Sequence, residues 1–192
     1  CGAAVGAVGA TGEYKVSQTT SGQSDVSYDS LSEAYTNAAG NAIITVQANV
    51  TENSQVDLSG EKSVTLNLNG KTISADSTKT YSEALIKWGT SGTAKLTITD
   101  NIDGGVGTLN GAGNTRVILV QQGEVILVNG TITGGSTTGW GGGVWIDGGT
   151  FEMSGGNIFD NRAAGNGGGV YVASGTFTLS GGNIVGNTAT YG

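Results

Sequence analysis

The feature that most constrains the fold of this chain is a 26-residue repeat in its second half. The segments 140–161 and 166–187 align without a gap, so that WGGGVWIDGGTFEMSGGNIFDN stands over NGGGVYVASGTFTLSGGNIVGN. The same offset places Ile118 under Val144 and extends the repeat to three successive units. A fixed period of this length is typical of solenoids, in which stacked units share one continuous core.

Each unit contains short stretches in which apolar residues alternate with others. In 144–146 and 151–153 the alternation has a period of two, which predicts β-strands with one side facing a core. Glycine pairs or triplets and asparagine separate these stretches, as expected where a chain turns a corner. We therefore expect three strands per turn in a coil of parallel β-sheets. The predicted inward residues are Val144, Ile146, Phe151, Met153 and Ile158 in one turn and Val170, Val172, Phe177, Leu179 and Ile184 in the next.

The first half of the chain carries the same pattern with less regular spacing. Ahead of it, the segment 30–39 predicts a helix, because Ser30 and Glu33 have capping-box spacing and the apolar residues fall on one side. Such a helix can close the open end of the coil. The predicted organisation is a flexible lead or edge strand over 1–25 and a coil over 26–192, with a capping helix near 30–39, irregular turns over 43–116 and regular turns over 117–192.

Composition excludes several kinds of chemistry. The chain of 192 residues has no His and one Cys, which removes histidine-based nucleophile activation, an internal disulfide and a cysteine-cluster metal site. Eight Lys and Arg against 15 Asp and Glu give a net charge of −7, so a nucleic-acid partner is not expected. No run approaches the roughly 18 apolar residues that would span a bilayer.

The start of the sequence bears on export. Cys1 followed by small residues resembles the start of a mature bacterial lipoprotein, in which the first cysteine carries the lipid. The alternative is that Cys1 stands first only because of where the sequence begins. A lipid on Cys1 would be the only expected link to a membrane, and either interpretation is compatible with an exported protein.

The series SLSEAYTNAAGNAIITVQANV, VTLNLNGKTIS and KLTITDNIDGGVGTLNG, followed by the two GGGV…GTF…SGGNI…N units, resembles a known group of proteins. These are the right-handed parallel β-helix (solenoid) repeats of large bacterial cell-surface proteins, similar to the pectate-lyase-like superfold. The resemblance covers about residues 26–192. It implies an all-β right-handed parallel β-helix on an extracellular bacterial cell surface that serves as an adhesin, a stalk or a carbohydrate- or protein-binding scaffold.

The competing function is a carbohydrate-active enzyme, a polysaccharide lyase or glycoside hydrolase, with the same fold. Glycoside cleavage needs two carboxylates on one surface. The acidic residues of the regular turns are Glu124, Asp147, Glu152 and Asp160, and the 26-residue offset puts no two of them in one column. Asp147 and Glu152 are expected on different strands of one turn. No catalytic residue is therefore assigned, and no cofactor is expected.

Two polar motifs have a functional and a structural interpretation. Asp100 and Asp103 stand beside glycine and could help to coordinate Ca²⁺, or they could stabilise a turn through side-chain hydrogen bonds. Asparagines recur at the same place in adjacent turns, where stacked amides can exchange hydrogen bonds along the coil. We expect these asparagines to form structural ladders: Asn157 with Asn183, and Asn161 with Asn187.

The candidate binding site is a column of residues predicted to point outward. Leu119, Trp145 and Tyr171 follow one another at the 26-residue offset, and Trp140 lies at a corner close by. Exposed aromatic side chains in a row can stack on sugar rings or on a protein partner. The alternative is that like residues stack outside a solenoid for stability alone. The expected partner is a surface glycan or a host or bacterial protein.

The last expectation concerns the C-terminal turn. Counting 26 residues on from Gly169 places the next glycine triplet just after Gly192, and no charged or helical cap follows Tyr191. A coil that stops there exposes unpaired backbone groups and an apolar cross-section. We expect either further repeats of the same chain, as in a fragment of a longer repeat protein, or head-to-tail self-association at this open end.

Overall fold

A computed structural model describes residues 14–17, 25–89, 92–102 and 106–191. Over these residues the chain is a parallel β-solenoid of about six turns. In chain order the elements of the first half are β1 (Tyr14–Ser17), β2 (Val26–Tyr28), α1 (Leu31–Asn37), β3 (Ala42–Val46), β4 (Val50–Glu52), β5 (Val56–Asp57), β6 (Val64–Asn67), β7 (Thr72–Ala75), β8 (Ile86–Gly89), β9 (Lys95–Thr99) and β10 (Thr108–Asn110). Those of the second half are β11 (Ile118–Gln122), β12 (Glu124–Leu127), β13 (Thr131–Thr133), β14 (Ser136–Thr137), β15 (Val144–Met153), β16 (Asn157–Phe159), β17 (Arg162–Asn166), β18 (Val170–Leu179), β19 (Asn183–Val185) and β20 (Thr188–Tyr191).

The strands stack into four faces of the coil. Face 1 contains β5, β8, β11 and the first halves of β15 and β18, and face 2 contains β3, β6, β9, β12 and the second halves of the same two long strands. Face 3 contains β4, β7, β10, β13, β16 and β19. Face 4 contains β14, β17 and β20, and its first strand belongs to the regular half of the chain. The predicted all-β parallel coil with one short helix is confirmed.

The offset between paired residues differs between the two halves of the chain. In the regular half, Ile118 pairs with Val144 and Val144 pairs with Val170, a constant offset of 26 residues. Upstream, the offset between paired residues ranges from 22, for Ala42 with Val64, to 36, for Thr72 with Thr108. The upstream turns absorb these differences in loops between the strands.

Faces 1 and 2 merge in the regular turns. The segments 144–146 and 150–153 form one ten-residue strand, β15, with a register shift between them. Gly148 has a φ of 129°, and a Cβ there would collide with the carbonyl of Gln121 in the turn below, so only glycine fits. The expectation that Asp147 and Glu152 lie on different strands is therefore wrong, because a glycine bulge bends the strand without ending it.

The predicted inward residues of the turn 144–158 are all fully buried in the core. In the next turn, Val170, Phe177 and Ile184 pack partly buried against that core, while Val172 is 43% exposed and Leu179 is 52% exposed. Val172 pairs with Ile146 and Leu179 pairs with Met153, so the register is as predicted. Burial of Val172 and Leu179 was expected and is not observed, because β18 has a neighbouring strand on one side only.

The predicted helix forms over Leu31–Asn37, and the Ser30 hydroxyl caps it by accepting a hydrogen bond from the Glu33 amide at 3.2 Å. The apolar side of the helix packs on β1, β2 and β5 at the N-terminal end of the coil. Tyr35 reaches the fully buried Trp88 of face 1 with an edge-to-face contact of 6.2 Å. Lys62 donates hydrogen bonds to two carbonyls at the end of the helix, at 2.8 and 2.9 Å.

Part of the predicted lead is built into the sheet. Strand β1 runs antiparallel between β2 and β3, so it is not an edge strand, and Tyr14 is fully buried. The Tyr14 hydroxyl is 2.7 Å from a carboxylate oxygen of Glu52. Cys1 lies outside the described residues, as does the rest of the lead apart from β1 and Asp25.

Candidate functional site

Three aromatic rings lie together on the outside of the regular turns. Trp140 stacks on Tyr171 with a centroid distance of 5.7 Å and an interplanar angle of 23°. Trp140 also meets the edge of Trp145 at 6.5 Å and 64°. Trp140 is 47% exposed, and Trp145 and Tyr171 are partly exposed. We call these three residues the aromatic surface.

The position of Trp140 depends on a glycine in the next turn. A Cβ at Gly165 would lie 2.6 Å from Cδ1 and 2.8 Å from Nε1 of Trp140, so the indole rests directly against the Gly165 backbone. Gly139, one repeat earlier, has no such contact and only ordinary spacing to its neighbours. Because Gly165 has no side chain, the Trp140 ring of the preceding turn can lie directly on the backbone at this position.

Leu119 does not belong to the exposed surface. It pairs in register with Trp145, as predicted, but it is fully buried, although it does not belong to the main core cluster. Its other neighbour in register is Lys87, which forms a 3.1 Å ion pair with Glu83. A short aliphatic side chain between two longer ones is covered by them, so the expected exposed column begins at Trp145 and not at Leu119.

An open groove with a volume of about 750 Å³ runs beside Trp145. Its lining is mostly hydroxyl, amide and backbone groups from the outer side of face 4 and from loops of the two preceding turns. Glu83 is the one carboxylate among its lining residues, and Arg116 and Arg162 are the two cations. We call this depression the outer groove; it is lined by Tyr81, Ser82, Glu83, Gly113, Asn114, Thr115, Arg116, Ser136, Thr137, Thr138, Trp145, Arg162 and Ala164.

The two arginines of the outer groove differ in their surroundings. The guanidinium of Arg116 lies over the Trp145 ring at 4.3 Å, and the residue is only 8% exposed. Burial lowers the pKa of Arg116, against the opposite influence of the Glu83 and Asp147 carboxylates. Arg162 projects into solvent one turn later. Sequence reasoning assigned no role to Arg116, because no local motif distinguishes an arginine that binds backbone carbonyls from an exposed one.

The asparagine ladders are confirmed. Asn161 is 1% exposed and donates from Nδ2 to Oδ1 of Asn187 at 3.0 Å. Its Oδ1 accepts from the amide of Gly135, 26 residues earlier, at 2.8 Å. The exposed pair Asn183 and Asn157 is joined by one amide hydrogen bond of 3.1 Å. Asn161 and Asn187 also bond to backbone groups at a corner of the coil, which is a structural role.

Asp100 closes a turn. Its two carboxylate oxygens accept hydrogen bonds from the amides of Gly70 at 2.8 Å and Gly107 at 2.6 Å, and the residue is 4% exposed. This matches the turn interpretation, because a cation at Asp100 would have to compete with both amides. Asp103 lies outside the described residues, and in the part of the chain that is described no three His, Cys, Asp or Glu side chains gather as a metal site.

The carboxylates of the regular turns occupy separate columns, as expected. Glu124 stands opposite Thr150 and forms a 2.6 Å ion pair with Lys95, while Glu152 stands opposite Ile126. Asp147 is exposed near the glycine bulge of β15. None of these residues lines the outer groove.

Comparison with known proteins gives no relative for this chain: no family model, curated protein or solved structure matches it. Among residues 14–17, 25–89, 92–102 and 106–191, no helix is long and apolar enough to cross a membrane. The function must therefore be argued from the fold and from the aromatic surface and outer groove.

Proposed function

We propose that this chain is a non-enzymatic, exported β-helix module of a bacterial cell surface that binds a neutral glycan on its aromatic surface. The observation that carries the proposal is the stacked pair of Trp140, which is 47% exposed, and Tyr171, which is partly exposed. Trp140 also contacts Trp145, which lines the outer groove. Indole and phenol faces pack on the apolar face of a pyranose ring, and aromatic side chains that carry an N–H or O–H group can also bond to sugar hydroxyls.

The lining of the outer groove supports a glycan over an apolar partner. Ser136, Thr137 and Thr138 contribute hydroxyl groups beside Trp145. Sites of this kind combine an aromatic anchor with a few polar groups that orient the ligand. A ligand with many hydroxyl groups can both donate to and accept from such a lining.

Charge supports a neutral glycan over a polyanionic one. The net charge of the chain is −7, and the buried Arg116 is already bonded to protein carbonyls. Arg162 is then the one exposed cation of the groove lining. Repulsion at long range would slow the approach of a polyanion and weaken its binding at low salt.

The distribution of carboxylates supports binding without cleavage. Among the described residues, Glu83 is the only carboxylate that lines the outer groove, and it is paired with Lys87 at 3.1 Å. Hydrolysis by a pair of carboxylates would need a second acid on the opposite side of the glycosidic bond. The adhesin and scaffold functions need no such pair.

The test uses affinity electrophoresis of the chain through gels that contain galactomannan, mixed-linkage β-glucan, xylan or desialylated mucin, with polygalacturonate as the anionic comparison. We expect retardation by at least one neutral polymer. Trp140→Ala should weaken it by about tenfold, which corresponds to ~1.4 kcal/mol. Val128→Ala, which shortens a comparably exposed apolar side chain at 43%, is the matched control and should bind normally.

Cleavage is measured in the same samples. We expect no new reducing ends and no unsaturated sugars from any polymer. Retardation that Trp140→Ala leaves unchanged would reject the aromatic surface as the site. Release of sugars by the wild-type chain that is lost in Glu83→Gln would replace the proposal with the enzyme alternative.

A further inference from the structure

Arg116 is a buried arginine whose guanidinium contacts backbone carbonyls and an aromatic ring. It lies just before β11, and its guanidinium donates hydrogen bonds to three backbone carbonyls: Glu83 at 3.0 Å, Trp140 at 3.0 Å and Gly141 at 3.4 Å. The flat side of the same group covers the ring of Trp145 at 4.3 Å. One side chain therefore links its own turn to the turn before it, through Glu83, and to the turn after it, through Trp140, Gly141 and Trp145.

Two of these contacts fix residues of the aromatic surface. The bond to the Trp140 carbonyl holds the backbone of the corner that carries the Trp140 ring, and the stacking contact holds the ring of Trp145. Trp140 in turn lies against Trp145 and Tyr171. Direct contacts therefore connect the buried guanidinium of Arg116 to Trp145 and Trp140, and through Trp140 to Tyr171.

The position is costly for a charged residue. Arg116 is 8% exposed, and its bonding partners are carbonyl oxygens and not carboxylates. Moving a charge out of water without an ion-pair partner is unfavourable unless hydrogen bonds compensate for the lost solvation. A planar group with donors in a fixed fork can serve three carbonyls and an aromatic face together, which an ammonium group cannot.

We infer that Arg116 is a positioning residue, which holds Trp140 and Trp145 in the arrangement that binds the ligand. This inference rests on the proposed function for its effect on binding, but its effect on the rings is independent of any ligand. A binding surface whose side chains are already held in place loses less conformational entropy when a ligand binds.

The test compares Arg116→Met and Arg116→Lys with the same two changes at Arg162, the exposed arginine of the same groove. The ligand-free readout is the far-UV circular dichroism band of the coupled Trp140 and Trp145 indoles, together with acrylamide quenching of tryptophan fluorescence. We expect both Arg116 variants to lose the coupled band and to be quenched more strongly. In these two ligand-free measurements the Arg162 variants should match the wild type, because the Arg162 side chain is exposed.

The binding readout is retardation by galactomannan, or by whichever neutral polymer of the panel binds the wild-type chain. Arg116→Met should weaken it about tenfold, and lysine should not restore it. In a Trp140→Ala background the Arg116 change should weaken binding less than it does in the wild type, because the part of its effect that acts through the Trp140 ring is already lost while the part that acts through Trp145 remains. Hydrogen exchange of β12 and β15 monitors the fold, since their protection should stay at the wild-type level.

The outcomes separate the two proposals. If no neutral polymer retards the wild-type chain, the proposed function fails, and the coupled band still decides whether Arg116 positions the rings. If polymers bind and Trp140→Ala abolishes binding while Arg116→Met changes neither the band nor the affinity, only the positioning role is wrong. Loss of protection throughout β12 and β15 in Arg116→Lys would mean that Arg116 supports the fold generally, which also overturns the inference.

Discussion

The irregular turns over 43–116 and the regular turns over 117–191 build the same coil in different ways. The upstream core contains large side chains such as Trp88 and Leu85, and single residues such as Asp100 bridge loops of unequal length. The regular turns place like residues on like, as in Phe151 on Phe177 at 6.0 Å, and use glycine and asparagine at the corners.

A constant repeat length allows the same corner contact to form between successive turns. When every turn has 26 residues, a side chain at one corner meets its own counterpart, so Asn161 can bond to Asn187 in the next turn. When the offset varies, each turn needs its own contacts. The outer groove lies where the irregular turns meet the regular turns. Face 4 begins with β14, so the preceding turns have loops there and not strands, and the groove lies beside those loops.

The largest expected change in the free energy of unfolding comes from removing a large core side chain of the irregular turns. Trp88→Ala should lower the free energy of unfolding by ~3–5 kcal/mol, because the fully buried indole leaves a cavity beside Tyr35. Trp88→Phe is the control and should cost much less, since it keeps a ring and removes an indole N–H that has no hydrogen-bond partner. Denaturant titration measures both, and equal losses would mean that cavity volume does not decide stability here.

The next effect tests the corner ladder of the regular turns. Asn161→Ala should cost about 1–3 kcal/mol, because it leaves the Gly135 amide and several carbonyls of a buried corner without partners. Asn183→Ala removes one exposed amide bond and should change stability by less than about 0.5 kcal/mol. If the two changes cost the same in urea titrations, the ladder does not act through burial.

A smaller effect tests the bridging role of Asp100 upstream. Asp100→Asn keeps one acceptor oxygen but replaces the other with a donor that faces the amide of Gly70 or Gly107, so we expect a loss of about 1 kcal/mol. Calcium added to the wild-type chain should leave the melting temperature unchanged. A rise in that temperature with calcium that Asp100→Asn abolishes would restore the cation interpretation.

The smallest effect on stability concerns the last turn. Leu179 is 52% exposed, so Leu179→Lys should change the stability of the monomer little, and it should weaken any self-association of the chain through this face. Sedimentation velocity at increasing concentration measures the association, and Ser180→Lys on the neighbouring residue controls for added charge. Association that is equal in both variants would show that the apolar cross-section is not the contact.

The sequence predicted the regular turns better than the irregular ones, for a physical reason. A repeat identifies which residues share a column, and alternation identifies which side of the strand faces the core, so the burial of Val144 and Phe151 followed directly. Upstream, the same pattern was recognised with less regular spacing, but strand β8 and its core residue Trp88 were not. Trp88 packs against Tyr35 of the helix, and no repeat relates these two segments.

The aromatic surface was only partly predictable. The offset placed Trp145 and Tyr171 in one column, and adjacency suggested Trp140. Stacking of Trp140 on Tyr171, however, depends on the space above Gly165, and the burial of Leu119 depends on the length of the side chains on either side. Both are properties of packing between turns.

The sequence by itself determined that this chain is a parallel coil, because a 26-residue period with strand alternation can bury its apolar side only by stacking turn on turn. Only the tertiary structure decided that Arg116 would be buried across three turns and that the rings would gather beside a groove. Hydrogen bonds to backbone carbonyls require no particular side chain at the partner residue. Contacts of that kind leave no pattern in the sequence, and they appear only when the turns are brought together.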